Sequence, residues 1–234
     1  MSPYLLKKPN LIHKNLPSSE ELPDSDETPV DYQLQDLLPH LLLSVLATIW
    51  AERMDWYFGV DMGIYYDPDQ PAIVPDAFLA LGVERIINDG LRLSYVLWEE
   101  EQLPILTLEV VSRKYRNEYS DKKDFYADLG ILYYVIYNPY RRRLPSFEVY
   151  KLVGNHYEKL QGKSKQEPIW LPEIGLAIGV EHGTYQGISR EWVYWYNESG
   201  DRYLTPEETN LQLKQKNQKY EDMLRSLGVD PDAI

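Results

Sequence analysis

Asp76, Glu109 and Lys122 are the side chains whose type and placement can do chemistry. Asp76 closes the run Ala72-Ile73-Val74-Pro75-Asp76. Glu109 lies inside the apolar stretch Pro104-Ile105-Leu106-Thr107-Leu108-Glu109-Val110-Val111-Ser112, and Lys122 opens a helical stretch just downstream. An ionised carboxylate within an apolar strand is costly unless a cation, a metal or several donors meet it. Two such carboxylates with a lysine nearby are the set that metal-dependent phosphodiester hydrolysis needs. Taken singly, each has a plainer explanation: a structural ion pair for Glu109, a turn for Asp76 and a solvated helix face for Lys122. Only their conjunction points to a site.

The elements that must position them can be read from hydrophobic spacing. From Tyr32 the pattern is helical, with Leu38, Leu41, Leu42, Val45, Leu46 and Ile49 at three- and four-residue steps, flanked at the end by Trp50 and Trp56. Strands are expected over 56–66, 73–81 (carrying Asp76), 91–98 and 104–112. Alternation along the last of these puts Leu106, Leu108 and Val110 on one face and Ile105, Thr107, Glu109 and Val111 on the other. A helix is expected over 117–129, stopped by Gly130, and then a strand over 131–137 ending at Asn138-Pro139. Strand, helix and strand in that order form a βαβ-like crossover that buries the Glu109 strand in the middle of a sheet. Further strands are expected at 147–153, 156–160 and 188–196, with a hairpin turn at Gly154-Asn155. Thr205, Pro206 and Glu208 make a helix start signal, and Leu213, Tyr220, Leu224 and Leu227 give that last helix a narrow apolar seam.

Composition bounds the setting. The 234 residues suit one medium domain with extensions: a flexible tail over 1–30, a domain over 31–204 and a C-terminal amphipathic helix and tail over 205–234. With 44% hydrophobic residues the core is substantial, and the 20 tyrosines and 6 tryptophans supply large amphipathic side chains. The absence of cysteine excludes disulfides and thiolate zinc sites, and the first residues lack an apolar signal core. A cytoplasmic location is the default, with no membrane span. The net charge of −13 opposes nucleic-acid binding at long range. Against it, Arg113, Lys114, Arg116, Lys122, Lys123 and Arg141-Arg142-Arg143 gather after Glu109, while much of the acid lies at 18–31, at 99–101 and near the C-terminus. His13, His40, His156 and His182 are too scattered for a metal site.

The chain resembles the PD-(D/E)xK nuclease superfamily and, more narrowly, the Uma family of restriction-endonuclease-like proteins abundant in cyanobacteria. The matching pieces are Val74-Pro75-Asp76, Leu108 to Ser112, Glu118 to Tyr126, and Gly130 to Pro139, within roughly residues 35–205; Leu227 to Pro231 also resembles that family's ending. The resemblance implies an α/β (α+β) restriction-endonuclease-like fold: a mixed central sheet flanked by helices, with additional β-hairpins and a C-terminal helix. It implies that Asp76, Glu109 and the Val110 carbonyl hold Mg²⁺, with Mn²⁺ an alternative, and that a lysine orients or deprotonates the attacking water. The superfamily's lysine two residues after the glutamate is replaced here by Val111. In the family the lysine comes from the following helix, which fits Lys122, with Lys114 and Lys123 as alternatives. The family's aspartate near Ser120 is absent, and Glu52 at the end of the first helix is either a further site carboxylate or an exposed helix end.

The expected function is a Mg²⁺-dependent DNA endonuclease acting as a homodimer through the C-terminal seam. The rival is a catalytically silent binding or assembly protein with the same fold, and a carbohydrate enzyme using paired carboxylates ranks below both.

Overall fold

The computed structural model describes residues 16–22, 32–87, 91–112, 117–141, 144–162, 167–228 and 230–231. Helix α1 (Gln33–Ile49) forms where the leucines recur at helical spacing. Leu38, Leu41, Leu42, Val45 and Leu46 are buried, while Asp36 and His40 keep the wet face. Past its end the Trp50 ring meets Trp56 edge-on, with centroids 5.5 Å apart.

Trp56 opens β1 (Trp56–Val60), followed by β2 (Ile64–Tyr65), β3 (Ala77–Leu81), β4 (Tyr95–Val96) and the one-turn helix α2 (Leu97–Glu100). Then come β5 (Leu106–Val110), α3 (Asp121–Leu129) and β6 (Tyr133–Tyr137). The chain continues through β7 (Phe147–Val153), β8 (His156–Lys159), β9 (Ile169–Leu171), β10 (Leu176–Tyr185) and β11 (Ile188–Tyr196) to α4 (Pro206–Ser226).

The central sheet has six strands in the order β1-β3-β5-β6-β7-β8. β5 and β6 run parallel, joined by α3, and every other neighbouring pair is antiparallel. This is the expected crossover, and it puts β5 inside the sheet with all five residues buried. Leu106, Leu108 and Val110 face a core built with α1 and the strands β9 to β11. The opposite face packs Tyr134 and Ile136 of β6 against Tyr126 and Ala127 of α3, with Tyr150 and Tyr157 alongside. The fold is therefore a mixed central sheet flanked by helices, as the resemblance implies.

Several boundaries differ from the sequence reading, each for a local reason. The expected strand over 56–66 breaks after Val60, because Asp61 takes a left-handed φ of 45°. The strand expected from Ile73 starts at Ala77, one residue after Asp76. Over 91–98 only Tyr95 and Val96 are extended, and the chain then turns into α2, which Glu101 ends at φ 52°. Helix α3 begins at Asp121 and not at Asn117, whose own φ is 64°. Strands β9 and β10 are additions that spacing did not suggest. β10 carries Gly179 and Gly183, which weaken a strand signal. Gly183 is a packing seat, because a Cβ there would overlap the Tyr194 hydroxyl.

Within the expected tail, the Pro17 carbonyl accepts from Trp98 Nε1 (2.9 Å) and the Ser19 amide donates to Glu99 (3.0 Å), which seats 16–22 against α2. Residues 1–15 and 23–30 of that segment lie outside the described residues. At the other end Thr205 and Glu208 form the expected capping box, and Arg202 clamps Glu208 at 2.8 Å. Among the described residues no helix is long and apolar enough to cross a membrane.

Candidate active site

Asp76 is positioned by the failure of a strand to continue. The β3–β5 ladder ends at Ala77 opposite Leu108, and Pro75, which has no N–H, cannot extend it as a donor. Two residues further along β5, the Val110 amide donates to Asp76 Oδ2 at 2.5 Å. The Asp76 carbonyl accepts from the Asp61 amide at 3.2 Å, and Oδ1 accepts from Gln35 Nε2 at 3.2 Å. The turn after β1, the end of β5 and the first turn of α1 thus fix one carboxylate.

Glu109 projects from the face of β5 that α3 covers. Lys122 and Tyr126 are four residues apart on α3, so both side chains reach the same spot. Lys122 Nζ donates to Glu109 Oε2 at 2.7 Å, and the Tyr126 hydroxyl donates to Oε1 at 2.8 Å. The Glu109 side chain is 3% exposed and that of Lys122 is 27% exposed. Glu109 is therefore sealed, while its lysine still reaches solvent.

The other candidates are placed apart from this cluster. Lys123 sits 3.7 Å from the centroid of the Tyr150 ring, a cation–π contact one position round the helix. Glu52 is exposed beyond the end of α1. Lys114, with Arg113, Arg116, Arg142 and Arg143, lies outside the described residues. An open depression of about 590 Å³ lined by Asp36, His40, Ser44, Tyr185 and Gln186 shares no residue with the cluster.

Burial and mutual repulsion dominate the electrostatics. Burial, then the charge of Glu109, pushes the Asp76 carboxyl well above its ordinary value, and the Val110 hydrogen bond and the charge of Lys122 only partly oppose this. Burial also raises Glu109, even though Lys122 and Tyr126 favour its ionised form. Burial alone would lower Lys122, but the charge and hydrogen bond of Glu109 outweigh it and leave the ammonium pKa raised. The pair is not reciprocal: its attraction decides the state of the lysine, while desolvation decides the direction for the glutamate. Glu118, itself buried, adds negative charge felt at both.

The site holds, among the described residues, more carboxylate than cation, an imbalance of the kind a hard divalent ion relieves. Among the described residues no group of three or more His, Cys, Asp or Glu side chains is arranged to hold a metal. Mg²⁺ does not require one, since it commonly keeps several waters and uses one or two carboxylates. The oxygens that such an ion would find here are those of Asp76 and Glu109 and neutral oxygens beside them. One of those, Gln35 Oε1, is buried without any hydrogen-bond partner. The residues present therefore fit the ion.

Sequence reading missed Gln35, Tyr126 and Glu118 as members of this neighbourhood. Tyr126 was available from its four-residue spacing to Lys122. Glu118 is buried where the Tyr134 hydroxyl donates to its backbone carbonyl at 2.7 Å, a seat set by β6. Gln35 is brought in from a helix 41 residues away in sequence, and no local signal marks it.

Among solved structures the chain is similar to the 1.96 Å crystal structure of a putative nuclease belonging to DUF820 from Anabaena variabilis ATCC 29413. That likeness has a TM-score of 0.45 at 12% identity, over 62% of this chain and 75% of that one. A search of curated proteins finds no match. The profile of the family described as "Uma2: Putative restriction endonuclease" matches residues 27–181, a span that holds Gln35, Asp76, Glu109 and Lys122. The chain belongs to the Uma2 family of restriction-endonuclease-like proteins.

Proposed function

We propose that this protein is a Mg²⁺-dependent endonuclease that hydrolyses phosphodiester bonds in DNA at Asp76, Glu109 and Lys122. The observation that carries the reading is their convergence at the end of β5. Asp76 touches the Val110 amide, and the neighbouring Glu109 meets Lys122. Asp76 and Glu109 would hold the ion, with the Val110 carbonyl as a further oxygen. When bound, Mg²⁺ supplies Lewis-acid stabilisation of charge on the phosphoryl oxygens and lowers the pKa of the attacking water.

The chain's own groups do the rest. Glu109, gripped from α3 by Tyr126, keeps a fixed orientation as a ligand, while Lys122, paired with its other oxygen, would exchange that contact for a phosphate. The raised pKa of Lys122 keeps its amine cationic at neutral pH, so it suits orienting the water and stabilising developing negative charge. Its side chain is 27% exposed, so a phosphate can approach it from solvent.

Incubation of supercoiled plasmid with the purified chain should give nicked and linear products with Mg²⁺ or Mn²⁺ and none with EDTA. Traces of cutting equal in wild type and an Asp76→Asn variant would assign the cleavage to a contaminant. Absence of any Asp76-dependent metal response would instead favour a catalytically silent member of the fold.

The reading includes a homodimer formed through α4. None of its 21 residues is buried, and Leu213 and Tyr220 along its seam, Met223 beside them and Leu227 just past its end are all more than half exposed. A helix carrying that much apolar surface gains by pairing along its seam. Light scattering should report a dimer that a Leu213→Glu, Tyr220→Glu double variant converts to monomer. A wild-type monomer at every accessible concentration would refute this part.

A further inference from the structure

Gln35 occupies a position that hydrogen bonding within the protein does not account for. It is the third residue of α1, 9% exposed, and its backbone amide donates to the Tyr32 carbonyl at 3.0 Å. Its side-chain Nε2 donates to Asp76 Oδ1. Its Oε1 is buried and meets no donor. A buried amide oxygen left unpaired costs about 1–3 kcal/mol, and natural cores rarely carry one without a reason. Reversing the amide would not help, because Nε2 would then be the orphan and Oε1 would face a carboxylate oxygen.

The setting argues against a purely structural role. The start of α1 is tied to the end of β5 a second time, through the Tyr32 hydroxyl and the Val111 carbonyl at 3.4 Å. Gln35 is thus held beside the carboxylate that the proposed metal would share, by two independent contacts to the same corner. A leucine of similar size would fill the space with no orphan. A glutamate would add another charge beside Asp76 and Glu109, whose buried carboxyls already raise one another's cost. A neutral oxygen donor is the side chain that can serve a dication here without adding to the repulsion in its absence.

We propose that Gln35 Oε1 is a neutral oxygen ligand of the divalent-cation site, supplied by α1 and aligned by the Nε2 contact to Asp76. The amide acts twice: Nε2 orients Asp76 and Oε1 faces the ion. This rests on the metal-site reading of Asp76 and Glu109 above and extends it to a residue outside the strand and helix that carry the motif. Oxygen ligation of this kind suits Mg²⁺ and Mn²⁺ alike.

The test measures Mn²⁺ binding to the full-length protein without DNA, by calorimetry and by the loss of the free-ion electron paramagnetic resonance signal. Gln35→Met keeps the volume and removes the oxygen, and it should weaken Mn²⁺ binding by roughly 10-fold or more, the scale of altered metal-site partners. Its metal-free melting temperature should stay within a few degrees of wild type, because removing the orphan Oε1 offsets the loss of the Nε2 donor to Asp76 Oδ1. Gln35→Glu should restore binding to at least the wild-type level, which a merely structural glutamine would not do. Asp76→Asn serves as the control. If it abolishes binding while Gln35→Met binds as wild type, the Gln35 assignment fails alone. If neither variant changes a measurable affinity, or wild type binds no Mn²⁺, the metal-site reading beneath it fails too.

Discussion

Glu109→Gln is expected to cut the Mg²⁺-dependent cleavage rate of plasmid DNA by at least ~10²–10³-fold, the scale of removing one preorganised charge-stabilising group. The substitution keeps the shape of the side chain, and its carbonyl can still accept from Tyr126. What it removes is the negative charge that holds the resting position of Lys122 and, in the proposed mechanism, the ion. Lys122 loses its partner but not its solvation, since its side chain is already partly exposed. Far-UV circular dichroism should therefore be unchanged and the melting temperature should move by only a few degrees. A variant that cuts at the wild-type rate would remove Glu109 from the mechanism. A variant that unfolds would call for Lys122→Met, which leaves β5 untouched and should also depress the rate.

The second large effect has the opposite sign for stability and activity. In EDTA at pH 8, Asp76→Asn should melt several degrees above wild type while having no cleavage activity when Mg²⁺ is restored. Both carboxyls have folded-state pKa values raised above their ordinary ones, Asp76 strongly so. The folded state then binds protons more tightly than the unfolded chain. Its protonation-linked stability is fully present below the ordinary aspartate value of 3.8 and is lost as pH rises through the raised value.

At pH 8 wild type bears a cost at this position, as buried charge or as proton uptake, that the neutral asparagine does not. The substituted amide can present its carbonyl to the Val110 N–H and its amino group to Gln35 Oε1, once the Gln35 amide turns over. Each kcal/mol recovered is worth roughly 2–4 °C for a domain of this size. The advantage should shrink as pH falls and vanish near pH 4. Saturating Mg²⁺ should reverse the order at pH 8, because only wild type gains by mass action, by about 2.7 kcal/mol at a hundred times Kd. An asparagine variant that melts below wild type at pH 8 in EDTA would show that the carboxylate is compensated in a way its contacts do not reveal.

If the proposed metal site is right, stability and function pull apart at this corner. A carboxylate pair packed between a sheet and two helices lowers the stability of the metal-free chain. A surface pair with the same net charge would be nearly neutral in energy and would bind no ion firmly. Lys122 offsets only part of the cost. Its link to Glu109 also means that a cation entering the site competes with an internal one.

The sequence alone determined the elements that local chemistry controls. The leucine spacing of α1, the alternation along β5, the Gly154 turn between β7 and β8 and the capping box of α4 all follow from steric and hydrogen-bonding preferences acting within a few residues. The order strand, helix, strand around Glu109 was enough to place β5 beside β6, because a parallel pair needs a crossover of that kind. Asp76, Glu109 and Lys122 stood out because charge in apolar surroundings must be met by something.

Only the tertiary structure decided which groups meet them. Lys122 and Lys123 are neighbours in sequence with the same chemistry. The packing of α3 on the sheet sends Lys122 to Glu109 and Lys123 to the face of Tyr150. Strand β10 was hidden because its glycines weaken the local signal, yet in the fold they are the spaces that Tyr194 and Tyr196 fill. Gln35 has no local mark at all. Its meaning arises where the first turn of α1 closes on the end of β5, and contacts between such distant segments depend on the packing of the whole core and not on any short stretch of chain.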